Sequence, residues 1–226
     1  MSDHSASATL SPEARPDQTR HHAELCSLCL NLCMDVCPVS VHSGRSDLTP
    51  NVKMRSAAAV LEIRPGAPTL ALLDACTDCG ACTAHCVLGV DVSRWLEQAR
   101  EELRQEAGLP AATARPAAAA LASIAPSEVP SDALALALCT GCPDPAERLP
   151  GIRRLEVPLG SACCGARLPD LADAGADLDD LHLSMGRGML SEAPDGAAVV
   201  VTDADCAAHL AAATAGRVRV ILLGEG

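Results

Sequence analysis

Thirteen cysteines in 226 residues, and above all their spacing, leave this chain few folds to choose from. Eight lie between positions 26 and 86 as two four-cysteine runs, Cys26-x2-Cys29-x3-Cys33-x3-Cys37-Pro38 and Cys76-x2-Cys79-x2-Cys82-x3-Cys86. Three closely spaced cysteines wrap one corner of a metal–sulfur cubane when a short irregular loop turns their sulfurs inward. Gly80 permits the twist such a loop needs. The second run has the spacing of the bacterial iron–sulfur run, lacking only its closing proline because Val87 follows Cys86. A zinc site normally takes two pairs, or Cys/His sets further apart. The first run has one residue more between its second and third cysteines and is ambiguous alone; beside the second it is not.

In two-cluster ferredoxins the fourth cysteine of each run serves the other cluster. That rule assigns Cys26, Cys29, Cys33 and Cys86 to one [4Fe–4S] cluster, and Cys76, Cys79, Cys82 and Cys37 to the other. The 38 residues between Cys37 and Cys76 leave room for two helices, so an α-helical ferredoxin module is expected rather than a compact β-rich one. Thr49-Pro50 reads as an N-cap followed by proline at the first helical position, opening a helix through about Glu62. A short helix follows from Ala67 to Ala75. Val92, Trp95, Leu96, Ala99 and Leu103 recur at three and four residues and predict an amphipathic helix from about Ser93 to Glu106.

Beyond this module the period changes. Leu134, Leu136 and Leu138 alternate with alanine, Ala197–Thr202 reads as a buried strand, and Val218, Val220 and Leu222 alternate again. Helices are expected over Leu171–Leu190 and Ala204–Ala215, so the pattern is a small α/β layer. Pro110, Pro116, Pro126 and Pro130 fall too often for one helix across residues 107–132. The expected organisation is therefore a disordered N-terminus over 1–22, a ferredoxin domain over 23–106, an Ala/Pro-rich linker over 107–132 and a cysteine-rich domain over 133–226.

Charge narrows the function classes. Seventeen basic against 29 acidic side chains leave a formal charge of −12, which argues against a nucleic-acid binder or a binder of anionic membrane surfaces. No apolar run approaches the ~20 residues of a bilayer-spanning helix, which leaves only peripheral association with a membrane open. The first 20 residues lack the apolar stretch of a signal peptide. The expectation is a cytoplasmic protein whose cysteines serve metals or catalysis rather than disulfides.

The C-terminal cysteines are sparser. Cys139 and Cys142 follow the first predicted strand, Cys163-Cys164-Gly165 follows Leu155–Leu159, and Cys206 opens the last helix. Asp203 or Asp205 can cap that helix, and its positive end would favour a Cys206 thiolate. His209 shares the helix face. Adjacent cysteines in extended chain point to opposite sides, so placing Cys163 and Cys164 on one site requires a turn, which Gly165 can supply.

Together these elements resemble the iron–sulfur proteins of the heterodisulfide reductase type, the Cys-Cys-Gly (CCG) domain proteins. That group includes the iron–sulfur subunits of glycolate oxidase and anaerobic glycerol-3-phosphate dehydrogenase. CSLCLNLCMDVCPVS, TPNVKM and CTDCGACTAHC carry the similarity over residues 24–106, and LCTGC, SACCGARL and VVVTDADCAAHL carry it to the end of the chain. The resemblance implies a helical two-cluster ferredoxin module followed by a single CCG unit where relatives typically have two. It implies Cys142, Cys163, Cys164 and Cys206 as ligands of a third, non-cubane [4Fe–4S] cluster, with Cys139 or His209 as the fifth candidate. A zinc site, a reactive dithiol or a decayed domain are the alternatives for this region. The family's closing Cys-x-x-Cys is here Cys206-x-x-His209.

The inventory predicts a carrier of single electrons, an oxidoreductase subunit rather than a self-contained enzyme. Its expected partner is a flavin dehydrogenase or reductase subunit with a positively charged docking patch. The alternatives are a thiol/disulfide reductase acting at Cys163 and Cys164, and a zinc-binding scaffold or redox sensor without turnover. Lys53, the only lysine, reads either as a group near a cluster, which the resemblance implies, or as a surface helix cation. His85 reads as a partly exposed loop residue, Trp95 as core, and the run Asp177, Asp179, Asp180 as a solvated helix face. His21, His22 and His182 have no partner at ligand spacing. No phosphate-binding glycine loop or hydrolase triad order is present.

Overall fold

The computed structural model describes residues 21–22, 24–26, 28–62, 67–110, 121–137, 142–166, 168 and 180–224. The expectations for residues 1–20, for 111–120 of the linker, for the acidic residues 177 and 179, for the helix before Asp180 and for Cys139 lie outside them.

The N-terminal half is built from helices, as its apolar periodicity predicts. Cys37 precedes α1 (Pro38–Ser43), which Gly44 ends at φ 65°. Pro50, whose fixed φ suits a first turn, opens α2 (Pro50–Glu62); α3 (Ala67–Asp74) and the single turn α4 (Ala81–Ala84) follow. In α5 (Val92–Glu106), Asp91 accepts a hydrogen bond from the Arg94 amide at 3.4 Å as N-cap. The α5 stripe Val92, Trp95, Leu96, Ala99 and Leu103 packs with Met54, Ala57 and Leu73 from α2 and α3. Cys26 and Cys82 are buried members of the same core. His22 lies edge-on to Trp95, with ring centroids 5.3 Å apart, so the chain is already helical and packed where the N-terminus was expected to be disordered.

The C-terminal half holds a five-stranded parallel sheet. Its strands are β1 (Ser123–Ile124), β2 (Leu134–Ala135), β3 (Arg153–Arg154), β4 (Ala198–Val201) and β5 (Arg219–Leu223), in the spatial order β1-β5-β4-β2-β3. The central β4 is buried along its whole length, as a strand covered on both faces must be. Val199 and Val201 face a core shared with Leu134, Leu136, Met189 and Leu210, whereas Ala198 and Val200 face Ile221 and Leu223. The helices are α6 (Pro145–Arg148), α7 (Leu181–Met189) and α8 (Ala204–Thr214).

Two expectations change. Ser123 and Ile124, read as linker, pair in parallel with Leu222 and Leu223 and form an edge of the sheet. Prolines spaced through a segment exclude a helix but leave a two-residue strand between them free to pair. The alternating leucines predict a longer first strand; among the described residues Leu134 and Ala135 are paired, the Leu136 amide donates to the Val200 carbonyl at 3.0 Å, and Leu138 lies outside them.

A third core joins the halves. Val39, Leu48 and Ala75 from the N-terminal half pack with Cys163, Leu168, Leu181 and Met185, and Cys37, Leu72 and Cys79 lie against them. Here α1 rests on α7. His42 Nε2 lies 3.1 Å from Ser161 Oγ and His42 Nδ1 lies 3.4 Å from Ser184 Oγ.

Candidate metal centres

Each four-cysteine loop bends through left-handed backbone. Asn31 (φ 62°) turns the first run, and Asp78 (φ 52°) with Gly80 (φ 73°) turns the second. Asn and Asp are the non-glycine residues that tolerate this conformation most readily. The extra residue of the first run is taken up in that turn, where the Met34 amide donates to the Asn31 carbonyl at 3.0 Å.

The loops line two hollows, each partly open to solvent, whose volumes include that open space. One, of about 390 Å³, is lined by Cys26, Cys29, Cys33 and Cys86 with Leu32, Asn51, His85, Val87 and Leu88. The other, of about 350 Å³, is lined by Cys37, Cys76, Cys79 and Cys82 with Val39, Lys53, Asp78 and Gly80. These are the two crossed sets. Pro50 lines both, so the start of α2 stands between the sites, with Asn51 on one side and Lys53 on the other.

The cavities suit a cationic iron–sulfur core. Burial, followed by crowding with neighbouring cysteines, pushes the Cys26 thiol up to about 11. Burial likewise pushes Cys33 to about 11 and Cys76 to about 12, and raises Cys82 as well. Buried thiols such as these become thiolates readily only when positive metal offsets their charge. The Val90 amide already points at Cys86 Sγ at 3.4 Å. Asn51 donates to the Cys26 carbonyl. Thr83, inside the second run, accepts from the Ser93 amide at 3.0 Å and so fastens that run to the head of α5.

Several surrounding side chains differ from the sequence reading or were missing from it. Lys53 is 1% exposed, not a surface cation, and donates to the Ala75 carbonyl. Arg100 was not singled out, because it falls on the buried stripe of α5 where a cation is unexpected. It pairs with Asp78 and donates to the Cys76 carbonyl at 3.3 Å. His85 is exposed at the rim of the first cavity, and Trp95 is core.

The C-terminal site stands at the carboxyl ends of β2 and β4. These neighbouring strands run on in opposite directions, β2 to β3 and β4 to β5, which makes their shared edge the switch point where open parallel sheets bind ligands. Cys142 follows β2, and Cys206 sits in the first turn of α8, where the Cys206 amide donates to Asp203 Oδ1 at 2.8 Å. The Cys164 and Cys206 sulfurs are 3.2 Å apart. Cys142, Cys206 and Asp203 present their ligand atoms within 4.8 Å of one another. Asp203 caps α8, and its place beside Cys142 and Cys206 has no sequence signal beyond adjacency to β4.

Cys163 and Cys164 divide between two cores. Cys164 packs with Cys206, and Cys163 packs toward Cys37 and Cys79. Gly165 makes the expected turn, at φ 90°. Cys206 shifts against the expected thiolate: hydrogen bonding to Cys142 and Cys164, then burial, raises it. Hydrogen bonds from Cys163 and Cys206 instead hold Cys164 well below the ordinary thiol range. His209 points Nε2 at the His182 carbonyl, 2.9 Å away, and stacks near the His182 ring.

Residues 25–91 match the family model of the 4Fe-4S dicluster domain. No curated protein and no solved structure matches the chain. Among the described residues no helix is long and apolar enough to cross a membrane. With its cysteine loops inside the matched span, the chain carries a 4Fe-4S dicluster domain at residues 25–91, in support of an iron–sulfur electron-transfer role.

Proposed function

We propose that the chain is a two-cluster electron carrier, a subunit that passes electrons between a flavin dehydrogenase or reductase partner and another acceptor. The observation that carries this reading is the pair of cavities lined by the crossed cysteine sets, Cys26, Cys29, Cys33, Cys86 and Cys37, Cys76, Cys79, Cys82. When bound, each [4Fe–4S] cluster stores and releases one electron. The chain's own residues hold the two sites together through α2, exclude water with Val39, Val92 and Leu96, and leave the first loop open to a partner. Leu28 and Leu30 there are more than 80% exposed, and Val87 is 73% exposed. The acidic surface favours a positively charged patch on that partner.

At the C-terminal site the CCG reading places a third, non-cubane cluster on Cys142, Cys163, Cys164 and Cys206. The Cys142, Asp203 and Cys206 arrangement favours zinc as the competing occupant. A second function, reduction of a disulfide or thiol-linked substrate at Cys163 and Cys164, draws support from the switch-point position of Cys164 and Cys206.

Anaerobic purification with iron, acid-labile sulfide and zinc counted per chain tests all of these. About eight irons are expected for two cubanes and about twelve with a third cluster. A zinc-only preparation without labile sulfide sinks the electron-carrier reading. Cys163→Ser that leaves iron content and all redox turnover intact removes the reductase reading.

A further inference from the structure

The two cysteine sites share a geometry but not an electrostatic setting. Lys53 lines the second cavity, is 1% exposed, and has the Ala75 carbonyl as its hydrogen-bond acceptor. Arg100 and Asp78 stand beside the same loop, but they are paired and largely cancel. One net positive charge is left at the second site. Among the described residues the first cavity is lined by no Lys, Arg, Asp or Glu; its counterpart on α2 is the neutral Asn51, and the one titratable side chain other than cysteine among them is the exposed His85. A charge in a water-poor interior acts on its neighbours far more strongly than one at the surface.

We propose that Lys53 is a positioning residue for the electron. Its buried ammonium raises the reduction potential of the second site above that of the first, so an electron delivered by the redox partner comes to rest at Cys37, Cys76, Cys79 and Cys82. Reduction adds one negative charge there, and the neighbouring cation stabilises it. The resting place has a direction in the fold. Cys37 and Cys79 lie against the core containing Cys163, whereas the first site opens beside the exposed leucines. The chain is thus polarised, with its outer site more reducing and its inner site next to the C-terminal cysteines. This inference rests on the two-cluster reading.

The test is a potentiometric titration of the anaerobically purified full chain, followed by electron paramagnetic resonance. It is run at pH 8.5, above the ordinary histidine range, with iron and sulfide counted on the same samples. Wild type is expected to show two separated potentials. Lys53→Met is expected to lower the upper one and leave the lower one in place, and Lys53→Arg to restore the separation. An upper potential that stays, two potentials that move together, or an arginine variant that behaves like methionine overturns the inference. Should Lys53→Met lose iron, Asn51→Lys decides: it is expected to raise the lower potential, and no movement overturns the inference. Wild type holding fewer than about eight irons per chain defeats the two-cluster reading itself, whereas full iron with unresponsive potentials defeats only the role of Lys53.

Discussion

Arg100 is a buried cation on the apolar face of α5, and its partners explain why it is tolerated. It reaches the Cys76 carbonyl and the Asp78 carboxylate, the two positions that shape the second cysteine loop. A charge in this setting is stable only while paired, and removing one partner leaves the other partly desolvated. Arg100→Met is therefore expected to cost about 1–3 kcal/mol and to lower the melting temperature of the loaded protein. Arg100→Met with Asp78→Asn is expected to cost less than the sum of the single changes, since the pair shares one interaction. Additive losses in a double-mutant cycle measured by thermal unfolding would show that the two do not act together. Arg104 supports the neighbouring turn in the same way, with Nε 3.2 Å from Asp74 Oδ1. Neither arginine was legible in the sequence. An arginine on a helix is ordinary, and only the three-dimensional course of the loop shows what it holds.

Among the elements, α1 joins the two halves, packing on α7 and, on another side, on the loop at Gly160, where backbone approaches closely. Gly160 has φ 78°, and a Cβ placed there would meet Val41 Cγ2 at 2.6 Å and the Asp35 carbonyl oxygen at 2.8 Å. A methyl group can be accommodated only by moving backbone, so Gly160→Ala is expected to destabilise the junction by about 1–3 kcal/mol. Hydrogen-exchange mass spectrometry is expected to show faster exchange in α1 and α7 while β4 stays protected; unchanged exchange in α1 and α7 would count against a shared junction. The periodicity of three and four residues identified α5, the Thr49-Pro50 cap signal identified α2 and a short apolar, alanine-rich run identified α3, because each of these is a local property. The strands β4 and β5 were legible from apolar runs and alternation. The shortness of β2 and the pairing of β1 were not, since a strand's limits depend on where its neighbours end. His42 between Ser161 and Ser184 also escaped notice, because its partners lie more than a hundred residues away in the chain.

At the scale of the whole molecule, a chain with no Phe, no Tyr and one Trp builds its cores from Ala, Leu, Val and cysteine, and so lacks the large buried area that aromatics supply. Cys26 and Cys82 belong to the helical core itself, so under the proposed two-cluster reading thiolate–iron bonds and side-chain packing would act on the same residues. Binding free energy at such a site is folding free energy. Stripping iron with a chelator is expected to unfold residues 24–106, seen as loss of helical circular dichroism. A cluster-free form that keeps the helical signal and melting temperature of the loaded protein would refute this. The spacing of the eight loop cysteines and the helices that flank them were legible in the sequence, because ligand spacing and helix signals are both set over a few residues. The burial of Lys53 beside one site, the division of Cys163 and Cys164 between different cores, and the meeting of Cys142, Cys206 and Asp203 at the switch point of the sheet are visible in three dimensions alone. Those facts depend on contacts between segments 20 to 140 residues apart, and no local pattern encodes them.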